Sequence, residues 1–232
     1  IEFKDYLSDE CGLSGETPAN FFARFRKVLK KAVDEGIFLK NPAEGIINRI
    51  DKNTVKKDVL TIDEIKTLYN TPCGNEEIKK SFLFGCFTGF RPSDIYNLKW
   101  KNVVGDTIQM EQSKTGVANM VKLKPEIISL IGKRGKQDDN IFNLTNPKTG
   151  KLISLNGINT VLDNWVKKAG IQKNITAYCS RHSFGTNIYM YSKDIRSASL
   201  LLGHTNMDNT IKYIRKSEQL ENEAIDKLPS FV

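Results

Sequence analysis

One tyrosine and a group of cationic side chains have types and spacings that suit chemistry on a phosphodiester. Tyr213 lies nine residues after His204, the last residue of a Leu-Gly-His sequence. The cations that could surround its phenol lie upstream: Arg91, Lys114, Arg181 and His182. A phenol that attacks a phosphodiester stays covalently attached to it, and the protein must then stabilise the equatorial oxygens and align nucleophile and leaving group. Two arginines, a histidine and a lysine can supply both functions without a metal ion.

Each of these residues also has an ordinary structural explanation when it is taken alone. Arg91 can be an exposed charge after a helix cap, and Lys114 lies in a turn, where lysine is common. Tyr213 can pack on an amphipathic helix, and His204 after Gly203 can cap a helix C-terminus, where the helix dipole favours a cation. The order and spacing of the whole set favour the chemical interpretation.

Composition describes a globular protein with a basic surface. The chain has 232 residues, 39% hydrophobic and 27% charged, enough to bury a sizeable core. Lysine and arginine outnumber aspartate and glutamate by 35 to 27, which gives a net charge of +8. This surplus serves either solubility or a polyanionic partner, because phosphate contacts supply much of the affinity of DNA-binding proteins.

The cysteines and the hydropathy pattern favour a reduced compartment. The four cysteines show no C-x-x-C spacing, which fits a cytosolic protein better than a disulfide scaffold. No apolar stretch approaches the ~20 residues that span a bilayer, and no signal peptide is evident. Because residue 1 is isoleucine, we expect the sequence to be part of a longer chain.

Helical periodicity near the N-terminus predicts a basic amphipathic helix. We expect it to begin at Thr17, with a capping hydroxyl before Pro18, and to end at Gly36. One face is apolar (Phe21, Phe22, Phe25, Val28, Leu29, Ala32, Val33). The opposite face carries cations, which are either solvated or aligned with DNA phosphates: Arg24, Arg26, Lys27, Lys30 and Lys31.

The rest of the chain predicts a mostly helical protein with one small antiparallel sheet. Residues 51–60 are polar and aperiodic, typical of a linker, and Thr61–Glu64 has the pattern of a capping box. An apolar helix at 78–88 stops at Gly89. Strand-like segments at 107–111 and 117–123 flank a Ser-Lys-Thr-Gly turn, which predicts a hairpin, and five more helices follow at 125–132, 157–169, 177–191, 194–202 and 207–217.

The joint order of the motifs resembles that of the tyrosine recombinases, the phage-integrase family. That family has an arginine in a Thr-Gly-x-Arg turn with an acidic residue three positions on, a hairpin lysine, a His-x-x-Arg helix, a Leu-Gly-His turn, and a tyrosine nine residues beyond that histidine. The matching segments cover about 61–217 in the same order: Thr88-Gly89-Phe90-Arg91 with Asp94, Ser113-Lys114-Thr115-Gly116, Tyr178-Cys179-Ser180-Arg181-His182, Leu202-Gly203-His204, and Tyr213. One position departs from the pattern, because Tyr178 stands where the family has histidine.

The resemblance implies roles for these residues. Tyr213 would form a 3′-phosphotyrosyl link and release a 5′-hydroxyl, with no ATP, metal ion or other cofactor. The other catalytic residues would clamp the phosphate (Arg91, Arg181), protonate the leaving oxygen (Lys114) and donate hydrogen bonds to the phosphate (His204, Tyr178). Asp94 would orient Arg91, and His182 would be structural.

The resemblance also implies a domain organisation and partners. Residues 1–50 would close a helical core-binding domain that contacts DNA, 51–60 would be the linker, and 61–216 the catalytic domain. An apolar stripe in 217–232 either packs on its own domain or docks on a neighbouring protomer. The partner would be double-stranded DNA at attachment or core sites, bound by a homotetramer in the bacterial cytoplasm and nucleoid, with room for accessory DNA-bending or directionality proteins.

Two alternatives remain open at the level of sequence. A type IB topoisomerase uses the same chemistry but works as a monomer that relaxes supercoils. The chain could also be a catalytically silent DNA-binding module that has kept the fold, and Tyr178 is the one feature that favours this. The Ser-Lys-Thr-Gly hairpin and the separate helical segment favour a site-specific recombinase, most of all an integrase of a mobile element.

Overall fold

The computed structural model describes residues 2–48, 58–111, 116, 118–203 and 210. Contacts divide the chain into two compact units, Ile1–Lys56 and Lys57–Val232. Within the described residues, no helix combines the length and the apolar character that crossing a bilayer requires. The predicted 207–217 helix, apart from 210, and the predicted tail at 217–232 lie outside the described part of the chain.

The N-terminal unit is built around one long helix. A short helix α1 (Glu2–Asp5) continues into a π-helical turn at Tyr6–Glu10, and α2 spans Thr17–Asp34. The predicted capping hydroxyl of Thr17 is wrong, because Glu16 already has near-helical backbone angles and no side chain caps this end. The helix therefore starts one residue earlier than a Thr17 cap would allow.

The apolar stripe of α2 is only partly covered within this unit. Phe22 and Leu29 are buried and pack with Ala43, and the other buried residues of the helix are Pro18 and Ala19. Phe21, Phe25 and Val28 stay exposed, although the Phe25 ring centroid lies 5.1 Å from that of Phe3. The rest of the N-terminal unit therefore covers only part of the apolar stripe of α2.

The C-terminal unit is mostly helical, with one small sheet. Its helices are α3 (Ile62–Asn70), α4 (Glu76–Thr88), α5 (Pro92–Tyr96), α6 (Pro125–Ile131), α7 (Leu155–Lys168), α8 (Ala177–Ser192) and α9 (Ile195–Leu202). A 3₁₀ turn at Trp100–Asn102 precedes the antiparallel strands β1 (Val103–Val104), β2 (Thr107–Glu111) and β3 (Ala118–Lys122), in the order β1-β2-β3. The fold class expected from the sequence is confirmed, but α5 and β1 were not predicted.

Helix α4 lies at the centre of this unit, as its apolar sequence predicts. Residues around most of its circumference are buried, which is the pattern of a helix surrounded by protein. The Phe84 ring contacts two aromatic rings, Phe90 at 6.2 Å and Phe142 at 5.3 Å between centroids. The predicted capping box of α3 is confirmed, since Thr61 and Glu64 exchange side-chain to main-chain hydrogen bonds.

The first described residues of this unit are bound to α8 and to the loop that precedes it. The main chain of Leu60 donates to Ser183 Oγ at 2.8 Å and accepts from Asn187 Nδ2 at 3.0 Å. Lys173 Nζ donates to the Val59 carbonyl at 2.9 Å and to Glu64 Oε2 at 2.7 Å. Residues 58–60, the end of the predicted linker, are therefore tied to the helix that carries Tyr178 and Arg181.

Candidate active site

The turn between α4 and α5 requires glycine at position 89 for two reasons. Gly89 ends α4 in the left-handed region, at φ +69°, which side chains with a Cβ adopt only at a cost. A Cβ at this position would also lie 2.3 Å from the ring of Phe184 on α8. The Thr-Gly-Phe-Arg sequence thus brings the main chain before Arg91 directly against α8.

Arg91 and Asp94 lie together at the start of α5. Arg91 is the residue that precedes the helix, and its side chain is 12% exposed, while that of Asp94 is fully buried. Their closest charged atoms, Arg91 Nη1 and Asp94 Oδ2, are 4.0 Å apart, at the outer limit of an ion pair. A buried carboxylate at this distance can orient the guanidinium, which is the role expected for Asp94.

Arg181 connects two turns that are far apart in sequence. It lies on α8, is 3% exposed, and donates from Nη1 to the Gly89 carbonyl at 2.7 Å. Its Nη2 donates to the Leu202 carbonyl at 2.6 Å. One buried guanidinium thereby joins the turn before Arg91 to the end of α9, where Leu202 and Gly203 precede His204 in sequence.

The sheet approaches the same region through its third strand. Asn119 on β3 is buried, and its Nδ2 donates to the Leu201 carbonyl on α9 at 3.5 Å. Gly203 then ends α9 in the left-handed region, at φ +61°. Strand β3, which follows the predicted Ser-Lys-Thr-Gly turn in sequence, therefore contacts the end of α9 at Leu201. Leu201 is the residue before Leu202, whose carbonyl binds Arg181.

Tyr178 and His182 occupy contrasting positions on α8. Tyr178 is in the first turn of the helix and is 43% exposed. His182 is buried beside Arg181, in keeping with a structural role. The main-chain amide of Ala177 donates to Asn159 Oδ1 on α7 at 2.9 Å, which fixes the first turn of α8 against its neighbour.

Tyr96, which the sequence did not single out, lies near Tyr178. It is the last residue of α5, and burial together with the neighbouring Tyr178 phenol raises the pKa of Tyr96 to about 12. A phenol with so high a pKa stays protonated at neutral pH. No sequence pattern marks the burial of a single hydroxyl group five residues after Arg91.

Of the eight residues expected at the active site or beside it, Arg91 and Asp94 lie together at the start of α5, and Arg181 and His182 lie on α8, where Arg181 contacts the turn before Arg91. Tyr178 is in the first turn of the same helix α8. Lys114, His204 and Tyr213 lie outside the described residues. The four proposed DNA-binding cations belong to the other unit, where all are exposed on α2: Arg24, Lys27, Lys30 and Lys31. Among the described residues, no three side chains of His, Cys, Asp or Glu gather as a metal site would require.

The partners of Arg181 could not have been found from side-chain patterns. Two of them are main-chain carbonyls, of Gly89 and Leu202, and every residue type carries that group. The signal that was available is the glycine of the Thr-Gly-x-Arg turn, because a required glycine often marks a close approach of two backbones. The turn itself was predicted, but the contact across to α8 was not.

Comparison with known families gives matches over nearly the whole chain. The model of the Phage integrase family matches residues 58–219, and that of the Phage integrase SAM-like domain matches residues 1–55. A tyrosine recombinase of Thermosipho africanus is 26% identical over 239 residues, covering 98% of this chain and 82% of that protein. Tyrosine recombinase XerC of Yersinia pestis is 28% identical over 219 residues, covering 89% and 70% of the two chains.

The solved structure of a site-specific recombinase has a fold similar to that of this chain. The XerH site-specific recombinase bound to palindromic difH substrate, in a post-cleavage complex, superposes with a TM-score of 0.72. The sequences are 20% identical, and the match covers 97% of this chain and 71% of that one. At this identity the likeness concerns the fold, and it agrees with the mostly helical architecture and small sheet described above.

Proposed function

This chain belongs to the phage integrase family, a class of enzymes that break and rejoin DNA strands, and we propose that its nucleophile is Tyr213. In this proposal it is a site-specific recombinase that works through a 3′-phosphotyrosyl intermediate. The two arginines of the site, Arg91 and Arg181, bind the phosphate under attack. The reaction conserves the energy of the phosphodiester in the tyrosyl link, so rejoining needs no ATP.

The single observation that supports this proposal best is the bridge made by Arg181. Its guanidinium holds the carbonyls of Gly89 and Leu202, which belong to the motifs that carry Arg91 and His204 in sequence. A planar guanidinium with five N–H donors suits both carbonyl and phosphate oxygens. Phosphate-binding motifs that are about 90 and 20 residues from Arg181 in sequence would thus share one site.

The chemistry follows from the groups that the proposal assigns. The Tyr213 hydroxyl loses its proton to solvent as its oxygen attacks phosphorus, a P–O bond to tyrosine forms, and the bond to the 5′ oxygen breaks. Lys114 gives a proton to that leaving oxygen, so a neutral 5′-hydroxyl departs. Arg91 and Arg181 stabilise the negative charge on the equatorial oxygens. Attack by another 5′-hydroxyl reverses these steps and seals the strand.

Tyr178 takes the place of the family histidine as a hydrogen-bond donor. Its hydroxyl can donate to a phosphate oxygen, but a phenol does not act as a base near neutral pH. The exposure of Tyr178 in the first turn of α8 supports this assignment, because a donor to DNA must be reachable from solvent. His204 supplies a second donor to the same phosphate.

The DNA contacts and the assembly belong to the same proposal. The exposed cations of α2 bind phosphates of an attachment or core site, and four protomers assemble on two duplexes because each exchange breaks four strands. We place this assembly in the bacterial cytoplasm, on the nucleoid, where accessory proteins can bend DNA or set the direction of exchange.

A plasmid assay tests the proposed function directly. The substrate is a supercoiled plasmid that carries two copies of the attachment site of the element that encodes the protein. We expect inverted or deleted recombinant products, depending on the relative orientation of the sites, and no reaction on the same plasmid without sites. Relaxation of both plasmids at equal rates, with no recombinant product, would identify a topoisomerase instead.

A further inference from the structure

Asn119 is a buried amide on the inward-facing side of strand β3. Along Ala118–Lys122 the residues alternate between exposed and buried, and the other inward residue, Val121, belongs to the apolar core. Asn119 is 5% exposed, and its cross-strand partner on β2 is the half-buried Met110. An amide buried on this face costs free energy unless it is hydrogen-bonded, so packing alone does not account for asparagine here.

The partner of the Asn119 amide is a main-chain carbonyl at the C-terminal end of α9. The last four carbonyls of a helix have no partner within the helix. At the end of α9, the Gly203 amide donates to the first two of these carbonyls. The other two are bound by side chains from other elements: Leu201 by Asn119 Nδ2 at 3.5 Å, and Leu202 by Arg181 Nη2 at 2.6 Å.

The contact with α9 is made by the strand that follows Lys114 in sequence. Strand β2 ends at Glu111, β3 begins at Ala118, and Lys114 lies in the connection between them. The two strands are paired in continuous register up to Glu111 and Ala118, so they form one ladder. Because Asn119 is the second residue of β3, its bond to α9 holds the end of the ladder from which this connection starts.

We propose that Asn119 is a positioning residue for Lys114, because it binds the hairpin to the same helix end that Arg181 binds and so places the general acid relative to the phosphate. The inference rests on the general-acid role of Lys114 in the proposed function. In this role Asn119 neither transfers a proton nor contacts DNA. Proton transfer to the leaving oxygen requires hydrogen-bond distance, so a displaced hairpin should slow this step more than phosphate binding.

Two substrates with different leaving groups separate this role from folding. Asn119→Leu keeps the approximate volume and removes the donor, and the control Met110→Leu changes only the apolar side chain of the cross-strand partner. Single-turnover cleavage is measured on a nicked suicide duplex with an ordinary phosphodiester and on one with a 5′-bridging phosphorothiolate, which needs no general acid. We expect Asn119→Leu to be roughly three- to tenfold slower than the parent on the ordinary duplex and to match it on the phosphorothiolate. Met110→Leu should match the parent on both.

A second variant keeps the test decisive if Asn119→Leu does not fold. Asn119→Thr suits a strand, and its hydroxyl is too short to reach the Leu201 carbonyl, so it should show the same dependence on the leaving group. Melting temperatures of all variants are measured alongside. The result for Asn119→Thr decides the question if Asn119→Leu melts below the assay temperature.

The other outcomes each overturn one idea. Equal slowing of the Asn119 variants on both substrates, or parental rates on both, overturns the positioning role. The assignment of Lys114 then stands if the phosphorothiolate rescues Lys114→Ala in the same assay. If Lys114→Ala is slowed equally on both substrates, Lys114 is not the general acid, and the positioning role of Asn119 falls with it.

Discussion

Arg181 is a buried cation whose position is fixed by two main-chain oxygens. Desolvating a guanidinium is costly unless hydrogen bonds offset the loss of water, and the carbonyls of Gly89 and Leu202 provide them. The same contacts hold two turns of the site in place. Arg181 therefore contributes to folding as well as to phosphate binding, whereas Arg91 makes its ion-pair contact to Asp94 within one short segment.

This difference predicts separate outcomes for two matched substitutions. Arg181→Lys replaces the planar guanidinium by a single ammonium group that cannot reach both carbonyls. The free energy of unfolding should therefore fall by about 1–3 kcal/mol. Arg91→Lys keeps a cation next to the Asp94 carboxylate, so it should lower the free energy of unfolding by less than Arg181→Lys does. Both should slow cleavage by about a hundredfold or more. Thermal melts and single-turnover cleavage measure the pair, and equal stability losses would contradict the bridging role of Arg181.

A second prediction at the residue scale concerns Lys114 as the general acid. Lys114→Ala should block cleavage of an ordinary phosphodiester but be largely rescued by a 5′-bridging phosphorothiolate, because a thiolate leaves without a proton. Arg91→Lys is the control, since its defect lies in phosphate binding and should persist on both substrates. Equal defects of Lys114→Ala on the two substrates would remove Lys114 from this role.

At the scale of the elements, the α4–α5 turn predicts different stability losses for two glycine substitutions. Gly89→Ala must tolerate a positive φ and a Cβ that overlaps the Phe184 ring, and should cost about 3 kcal/mol or more. Gly105→Ala has a similar φ of +62° but no atom within 4 Å of the new Cβ, so it should cost about 1–2 kcal/mol. Urea unfolding of both variants measures the difference, and equal values would show that the contact with α8 is not tight.

The elements that the sequence predicts are those with local signals. The capping box at Thr61 and Glu64, the glycine stop at Gly89 and the alternating hairpin strands all depend on neighbours a few residues away. Helix α5 and strand β1 are too short to show a period, and their positions depend on packing against the rest of the unit. Tertiary contacts likewise decide which part of the α2 stripe is buried.

The candidate site was predicted in part for the same reason. Motif order proposes Arg91, Asp94 and Arg181 as site residues, and the structure pairs Arg91 with Asp94 and bonds Arg181 to the Gly89 carbonyl, two residues before Arg91. The hydrogen bonds of Arg181 use main-chain carbonyls, and the buried hydroxyl of Tyr96 has no neighbour in sequence that marks it. Such contacts arise only when helices far apart in sequence are packed.

At the scale of the whole molecule, the surplus of positive charge predicts strongly salt-dependent DNA binding. The exposed cations of α2 are proposed to contact phosphates, and each lost contact should reduce the slope of log affinity against log salt by about 0.9. Replacing Arg24, Lys27, Lys30 and Lys31 together by glutamine should therefore lower the slope by about 3.6.

The matched control for this experiment is Lys40→Gln in the same unit. Lys40 lies beyond α2, and its Nζ is 3.8 Å from Glu44 Oε2 in an exposed pair, so its removal should leave the slope nearly unchanged. Titrations of a labelled attachment-site duplex over a range of salt concentrations give both slopes. If the quadruple variant keeps the parental slope, α2 faces solvent and not DNA.

The nature of the covalent intermediate tests the central claim most directly. A nicked suicide duplex carrying the attachment site is incubated with the protein, and the adduct is digested and sequenced by mass spectrometry. We predict a DNA 3′-phosphate linked to the peptide that contains Tyr213, a free 5′-hydroxyl on the released strand, and no adduct from a Tyr213→Phe variant that still binds the duplex. An adduct on any other residue, or one formed by Tyr213→Phe, would contradict the assignment of the nucleophile.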